Sequence, residues 1–94
     1  MAEKTLPFDE ANYINNREDQ AELLADAFES GDLGYIANAL GIIARARGMS
    51  QVARDAGVTR EALYKALSGD GDPKLSTVIG VVKALGLKLS ATRA

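Results

Sequence analysis

Five basic side chains, Arg45, Arg47, Arg54, Arg60 and Lys65, stand between positions 45 and 65 against Asp55 and Glu61, a local net charge of +3. Such a cluster attracts anionic partners. Asp70 and Asp72 offer a different chemistry, two loop carboxylates that could hold a metal ion in a small enzyme. They flank glycines in a turn, where aspartate is common for backbone reasons, and no second ligand cluster accompanies them. The chain has no Cys and no His. That excludes disulfides, thiol nucleophiles, Cys/His zinc sites and a histidine general base. No catalytic, metal or cofactor site is therefore assigned, and an enzyme is not expected.

The elements that position these groups must fit into 94 residues, about one small domain. Apolar residues make up 47% and charged residues 26%, a balance that suits a globular fold. The longest strongly apolar stretch, 36–46, is broken by Asn38, Gly41 and Arg45 and is too short and polar to span a bilayer. The N-terminus MAEKTLPFDE lacks a cationic start followed by an apolar core, so no secretory signal is expected and a cytoplasmic location is the default. The net charge of −2 hides a split. Residues 1–32 carry nine acidic side chains against Lys4 and Arg17, a net of −7, and residues 33–94 carry nine basic ones against four acidic, a net of +5. Either the two parts meet different partners, or a solvated acidic helix lies beside an ordinary domain.

Pro7 sets an extended start, and 9–13 could form a short turn of helix. Asn16 is positioned to cap a helix over 17–29, with Ala21, Leu24 and Phe28 on one face and Glu18, Glu22, Asp26 and Glu29 on another. Ser30-Gly31 ends it, and Asp32 caps a second helix from Leu33 to Arg47, patterned by Leu33, Ile36, Leu40 and Ile43. Gly34 and Gly41 weaken that helix and mark possible close contacts; Gly48 closes it. Ser50 is expected to cap a short helix over 51–56, and Thr59 another over 60–68. After the loop 69–73, Ser76 or Thr77 opens a last helix closed by Gly86. Alternation in 87–92 allows a short strand, with Leu87, Leu89 and Ala91 on one face.

The two helices at 50–56 and 59–68 are separated only by a tight turn at Gly57-Val58. Ala53 and Ala56 are small where two steeply crossed helices would touch, and Gly57 can take the positive φ that reverses the chain. Val52, Val58, Leu63 and Leu67 would point into a shared core. This is the logic of a helix-turn-helix. The stretch MSQVARDAGVTREALYKALS resembles the Cro/repressor-type (Xre family) helix-turn-helix. More narrowly, GDLGYIANALGIIARARGMSQVA, REALYKALS, DPKLSTVIGVVKALGLKL and the N-terminal FDEANYI resemble the addiction-module antidote proteins, HigA-like antitoxins, over nearly the whole chain.

The resemblance implies an all-α, lambda-repressor-like bundle of four to five short helices. Residues 1–31 would form an acidic N-terminal extension with one helix, and 32–94 the DNA-binding domain, with a possible short C-terminal strand. In the family a Gln opening the first helix of the motif binds a phosphate, and Gln51 holds that place. The recognition helix would read base edges through Thr59, Arg60, Glu61, Tyr64 and Lys65. The chemistry agrees: Arg60 can contact guanine bidentately and Glu61 can accept from cytosine, while Tyr64 and Lys65 could reach a thymine methyl, a base edge or phosphate. Lys74 and the helix start at Ser76-Thr77 are candidates for backbone contacts, and Arg54, Arg45 and Arg47 add charge nearby. Each has a plainer reading: Arg60 and Glu61 as a solvated first turn, Tyr64 packed on its helix, Arg45 and Arg47 favouring a helix C-terminus.

The implied function is that of an antitoxin of a type II toxin-antitoxin module. It would neutralise a RelE/HigB-type toxin and repress its operon as a homodimer on palindromic operator DNA, with half-sites about one helical turn apart. A sequence pI near 5.0 is low for a DNA-binding domain, whereas an acidic N-terminal region suits a basic protein partner. The competing reading is a stand-alone regulator of phage or mobile-element type. The last helix, 76–86, and the tail are the candidate dimer surfaces.

Overall fold

The computed structural model describes residues 16–68 and 70–94. They form five helices: α1 (Arg17–Ser30), α2 (Leu33–Arg47), α3 (Met49–Ala56), α4 (Arg60–Ala66) and α5 (Leu75–Ala84). The extended start at Pro7, the turn at 9–13 and the motif FDEANYI lie outside the described residues.

Local side-chain chemistry starts three of these helices where the sequence predicts. Asn16 accepts from the Asp19 backbone N–H at 2.8 Å, and its amide donates to the Asp19 carboxylate at 3.0 Å. Asp32 accepts from the Tyr35 N–H at 3.2 Å and Thr59 from the Ala62 N–H at 3.0 Å. Each bond satisfies one of the donors that a first helical turn leaves unpaired, an effect of about 1 kcal/mol.

The other two starts differ from expectation. Ser50 lies inside the first turn of α3, exposed, and no side chain caps that helix. The reason is Gly48, whose N–H closes α2 on the Ala44 carbonyl at 2.8 Å while its own carbonyl accepts from Val52 at 3.1 Å. One residue, at a φ of +108°, ends one helix and begins the next, so no position is left for a capping side chain. Similarly α5 begins at Leu75 rather than behind Ser76 or Thr77, because the Lys74 carbonyl already accepts from the Val78 N–H at 3.0 Å.

Between α3 and α4 the chain turns at Gly57, with φ +77°. Its N–H reaches the Arg54 carbonyl at 3.2 Å and the Val58 N–H reaches that of Ala53 at 3.0 Å, the paired bonds of a Schellman ending. Leu63 of the second helix, Leu67 just past its end, and Val52 and Ala53 of the first are buried, with Val58 half-buried against them. They join Leu40, Ile43, Val81 and Leu85 in a single core, to which α1 adds Leu24 and Ala27. Helix α3 packs on α2, α4 and α5, and α1 packs on α2. A Cβ at Gly41 would lie 2.8 Å from the Leu67 carbonyl oxygen. Its bare backbone therefore lets α2 approach the end of α4.

A polar clamp ties α1 and the end of α5 to α2. Gln20 is 0% exposed. It accepts from Arg47 Nε at 2.9 Å, and the same guanidinium donates to the Leu85 carbonyl at 2.9 Å. Burial, and behind it repulsion from Arg17, holds the Arg47 pKa below its ordinary value. On the surface, the Tyr35 hydroxyl donates to Asp26 at 2.5 Å and ties α2 to α1.

The expected strand in the tail is absent, since residues 87–94 are irregular. A strand needs an edge to pair with, and the described residues contain no sheet. The Leu87 N–H is instead spent on the Val82 carbonyl at 3.0 Å, and Leu87 and Leu89 line a groove against Leu24 and Phe28 of α1. Among the described residues no helix is long and apolar enough to cross a membrane.

Two glycines test these contacts. Gly41→Ala should cost about 1–3 kcal/mol, because a backbone carbonyl must move. Gly57→Ala meets nothing within 4 Å and should cost only the left-handed strain, about 1–2 kcal/mol. Urea unfolding of each variant reads both values, and a neutral Gly41→Ala would disprove the tight α2–α4 approach.

Candidate nucleic-acid interface

The turn at Gly57 sets α3 and α4 so that their exposed faces open on one side. Arg45 from the last turn of α2, Ser50 and Gln51 from the start of α3, and Arg60 and Tyr64 from α4 line a shallow concavity of about 340 Å³, floored by Gly48 and Met49. The first N–H groups of α3 lack a side-chain cap, and such free donors at a helix start favour an anion.

Within α4, the Arg60 guanidinium lies over the Tyr64 ring, 5.5 Å from its centroid. Residues four apart share a helix face, so this stacking follows from the spacing. Hydrogen bonding to Tyr64 is the main influence raising the Arg60 pKa above its ordinary value, with Glu61 adding to it. Arg60 is thus a fixed cation held against an aromatic face, with Tyr64 itself 42% exposed. On α3, Gln51 donates to Asp55 at 3.0 Å and accepts from Arg54 at 3.0 Å. These bonds hold the Gln51 amide in place along the exposed face.

Of the residues singled out from the sequence, the structure brings Gln51, Arg60 and Tyr64 to one concavity, with Arg54 bonded to Gln51. Thr59, Glu61 and Lys65 are exposed on α4 or at its cap, and the Thr59 hydroxyl is engaged in capping. Lys74 is exposed at the start of α5, away from that lining. Ser50 and Arg45 line the concavity and were not among the selected contacts. The spacing of Arg45 and Arg47 carried a usable signal: residues two apart on a helix do not face each other. Arg45 is exposed at the concavity, whereas Arg47 turns inward to Gln20 and Leu85 and belongs to the fold.

The loop carboxylates Asp70 and Asp72 are both exposed, and among the described residues no group of three His, Cys, Asp or Glu could hold a metal ion.

A chain whose described elements are all helices, with this exposed α3–α4 pair, can be compared with known proteins. Residues 4–93 match the model of a family described as "Probable addiction module antidote protein", and the chain belongs to that family. An antidote of this kind has a toxin as its partner. The chain is also 48% identical over 88 residues to an uncharacterized protein of Haemophilus influenzae, covering 94% of this chain and 91% of that protein. No solved structure matches it.

The two arginines should separate in a stability measurement. Arg47→Ala leaves the buried Gln20 without this donor and should cost about 1–3 kcal/mol. Arg45→Ala should stay within about 0.5 kcal/mol of the parent. Equal losses in thermal and urea unfolding would contradict the assignment of Arg47 to the fold and Arg45 to the surface.

Proposed function

We propose that this antidote neutralises a RelE/HigB-type toxin by direct binding and represses its own operon as a dimer on operator DNA. The observation that carries the DNA part is the concavity where Arg45, Gln51, Arg60 and Tyr64 converge on the uncapped start of α3. In this reading the free N–H groups of α3 and the Gln51 amide take a backbone phosphate. Helix α4 enters the major groove, where Arg60 donates to guanine and Glu61 accepts from cytosine. Lys65, Arg54 and Lys74 add phosphate contacts on either side. Because Tyr64 already supports the Arg60 guanidinium, less side-chain freedom is lost on binding.

The toxin part draws on a different surface. Glu18, Glu22, Asp26 and Glu29 recur at helical spacing on α1 and are all exposed, a negative face suited to a basic protein. Residues 1–31 are then the toxin-facing extension and 32–94 the DNA-binding part. Both roles are binding roles, so no catalytic step is assigned. Neither role places the protein at a membrane, in keeping with a cytoplasmic location.

The test uses the promoter fragment of the protein's own operon and the product of the neighbouring gene. Arg60→Ala should weaken operator binding by about 1–3 kcal/mol and relax preference at one base pair. Lys65→Ala should weaken binding to all sequences and lower the salt slope by about 1. Fluorescence anisotropy across a salt series reads both effects. Each variant should still block toxicity of the co-expressed neighbour. Binding equal to the parent in both variants would remove α4 from the interface. A harmless, non-binding neighbour beside intact operator binding would make the protein a stand-alone regulator.

A further inference from the structure

Helix α5 buries Val78, Val81 and Val82 in the core yet leaves two large apolar side chains outside it. Leu75 is 70% exposed and Ile79 is 37% exposed. They stand four residues apart and so share one face of the helix. Single exposed apolar residues are ordinary on a protein surface; an adjacent pair in a ten-residue helix is less so. Opposite charges bracket the pair. Asp72 lies three residues before Leu75, and Lys83 lies one turn beyond Ile79 on the same side; both are exposed.

This arrangement is complementary to itself when reversed. If two α5 helices meet antiparallel with Leu75 of each against Ile79 of the other, Lys83 of one copy falls about 6 Å beyond that contact. Asp72 of the other copy lies at the same end. A two-fold axis then produces two apolar contacts and two Asp72–Lys83 pairs at once, which is what an isologous interface requires. Parallel pairing would set like charges side by side at both ends.

We propose that this face of α5 is the docking surface for a second copy of the chain, antiparallel and across a two-fold axis, a pairing that rests on the operator-binding reading for its purpose. The preceding loop strengthens the link to DNA. Gly71 lies directly against the Ala66 carbonyl at the end of α4, so the start of α5 is tied to the end of the helix assigned to the groove. Pairing through α5 therefore fixes the separation of the two α4 helices. The apolar patch is small, so the free dimer is weak and operator DNA strengthens it by mass action.

The experiment is sedimentation equilibrium of the full chain over a concentration series, without DNA. Asp72→Lys and Lys83→Asp each place like charges across the axis twice, and each should weaken self-association at least tenfold. The double variant Asp72→Lys/Lys83→Asp exchanges the charges and should restore it. All three substituted positions are exposed, and circular dichroism checks that each variant keeps its helices. Leu75→Glu, which leaves both charges in place, should also dissociate the dimer. A parent that stays monomeric, or a double variant no better than the singles, overturns the α5 interface. Operator anisotropy on the same samples separates the two readings. Restored association without any operator binding sinks the DNA reading alone, and tight operator binding by a parent that never dimerises sinks this one alone.

Discussion

Helix α3 is joined to its neighbours by one residue on one side and three on the other: Gly48, and positions 57–59. Connections that short leave α2, α3 and α4 few relative directions in which their side chains can pack. Both reversals use glycine at positive φ, +108° and +77°, where other residues are strained. The one-residue junction has a second effect. By sharing Gly48 between two helices it removes the place where a cap would stand, and the first residues of α3 line the concavity without one. The feature that makes the fold tight is thus the one that leaves the start of α3 without a side-chain cap.

Electrostatics follow the same geometry. The chain as a whole is acidic, at −2, yet Arg45, Arg54, Arg60 and Lys65 are gathered on the exposed side of α2, α3 and α4. Acidic residues gather on α1, where Glu18 and Asp19 in the first turn also favour the helix start. Separation onto different helices keeps the two fields from cancelling at short range, since exposed charges beyond about 10 Å are largely screened at ordinary salt. The proposed binding to nucleic acid would therefore depend on local charge rather than total charge.

What could be read in the sequence was what physics keeps local. The caps at Asn16, Asp32 and Thr59 and the reversal at Gly57 depend on residues within four positions of one another, and all four stand where expected. The core positions Leu40 and Ile43 follow from helical periodicity, which also points to Leu33, a residue 53% exposed. Leu63 and Leu67 follow instead from the logic of two helices joined by a tight turn. Ser50 misled because its composition suits a cap, while the preceding glycine had already used the position. The tail misled because alternating Leu87 and Leu89 suit a strand as well as a groove beside α1, and only the absence of a sheet decides between them. Gln20 could not be singled out at all. A glutamine among charged residues reads as solvated, and its burial depends on an arginine 27 residues away.

That arginine has a bearing on how the molecule opens. Arg47 joins Gln20 in the first described helix to Leu85 at the end of the last, across sequence separations of 27 and 38 residues. Each bond forms only when an element far away in sequence has docked on α2, and because one guanidinium makes both, losing either bond loosens the placement of the other. Fraying of α1 is therefore coupled to loosening of α5, and the backbone amides of the two helices should exchange with solvent as one cooperative unit rather than as separate ends.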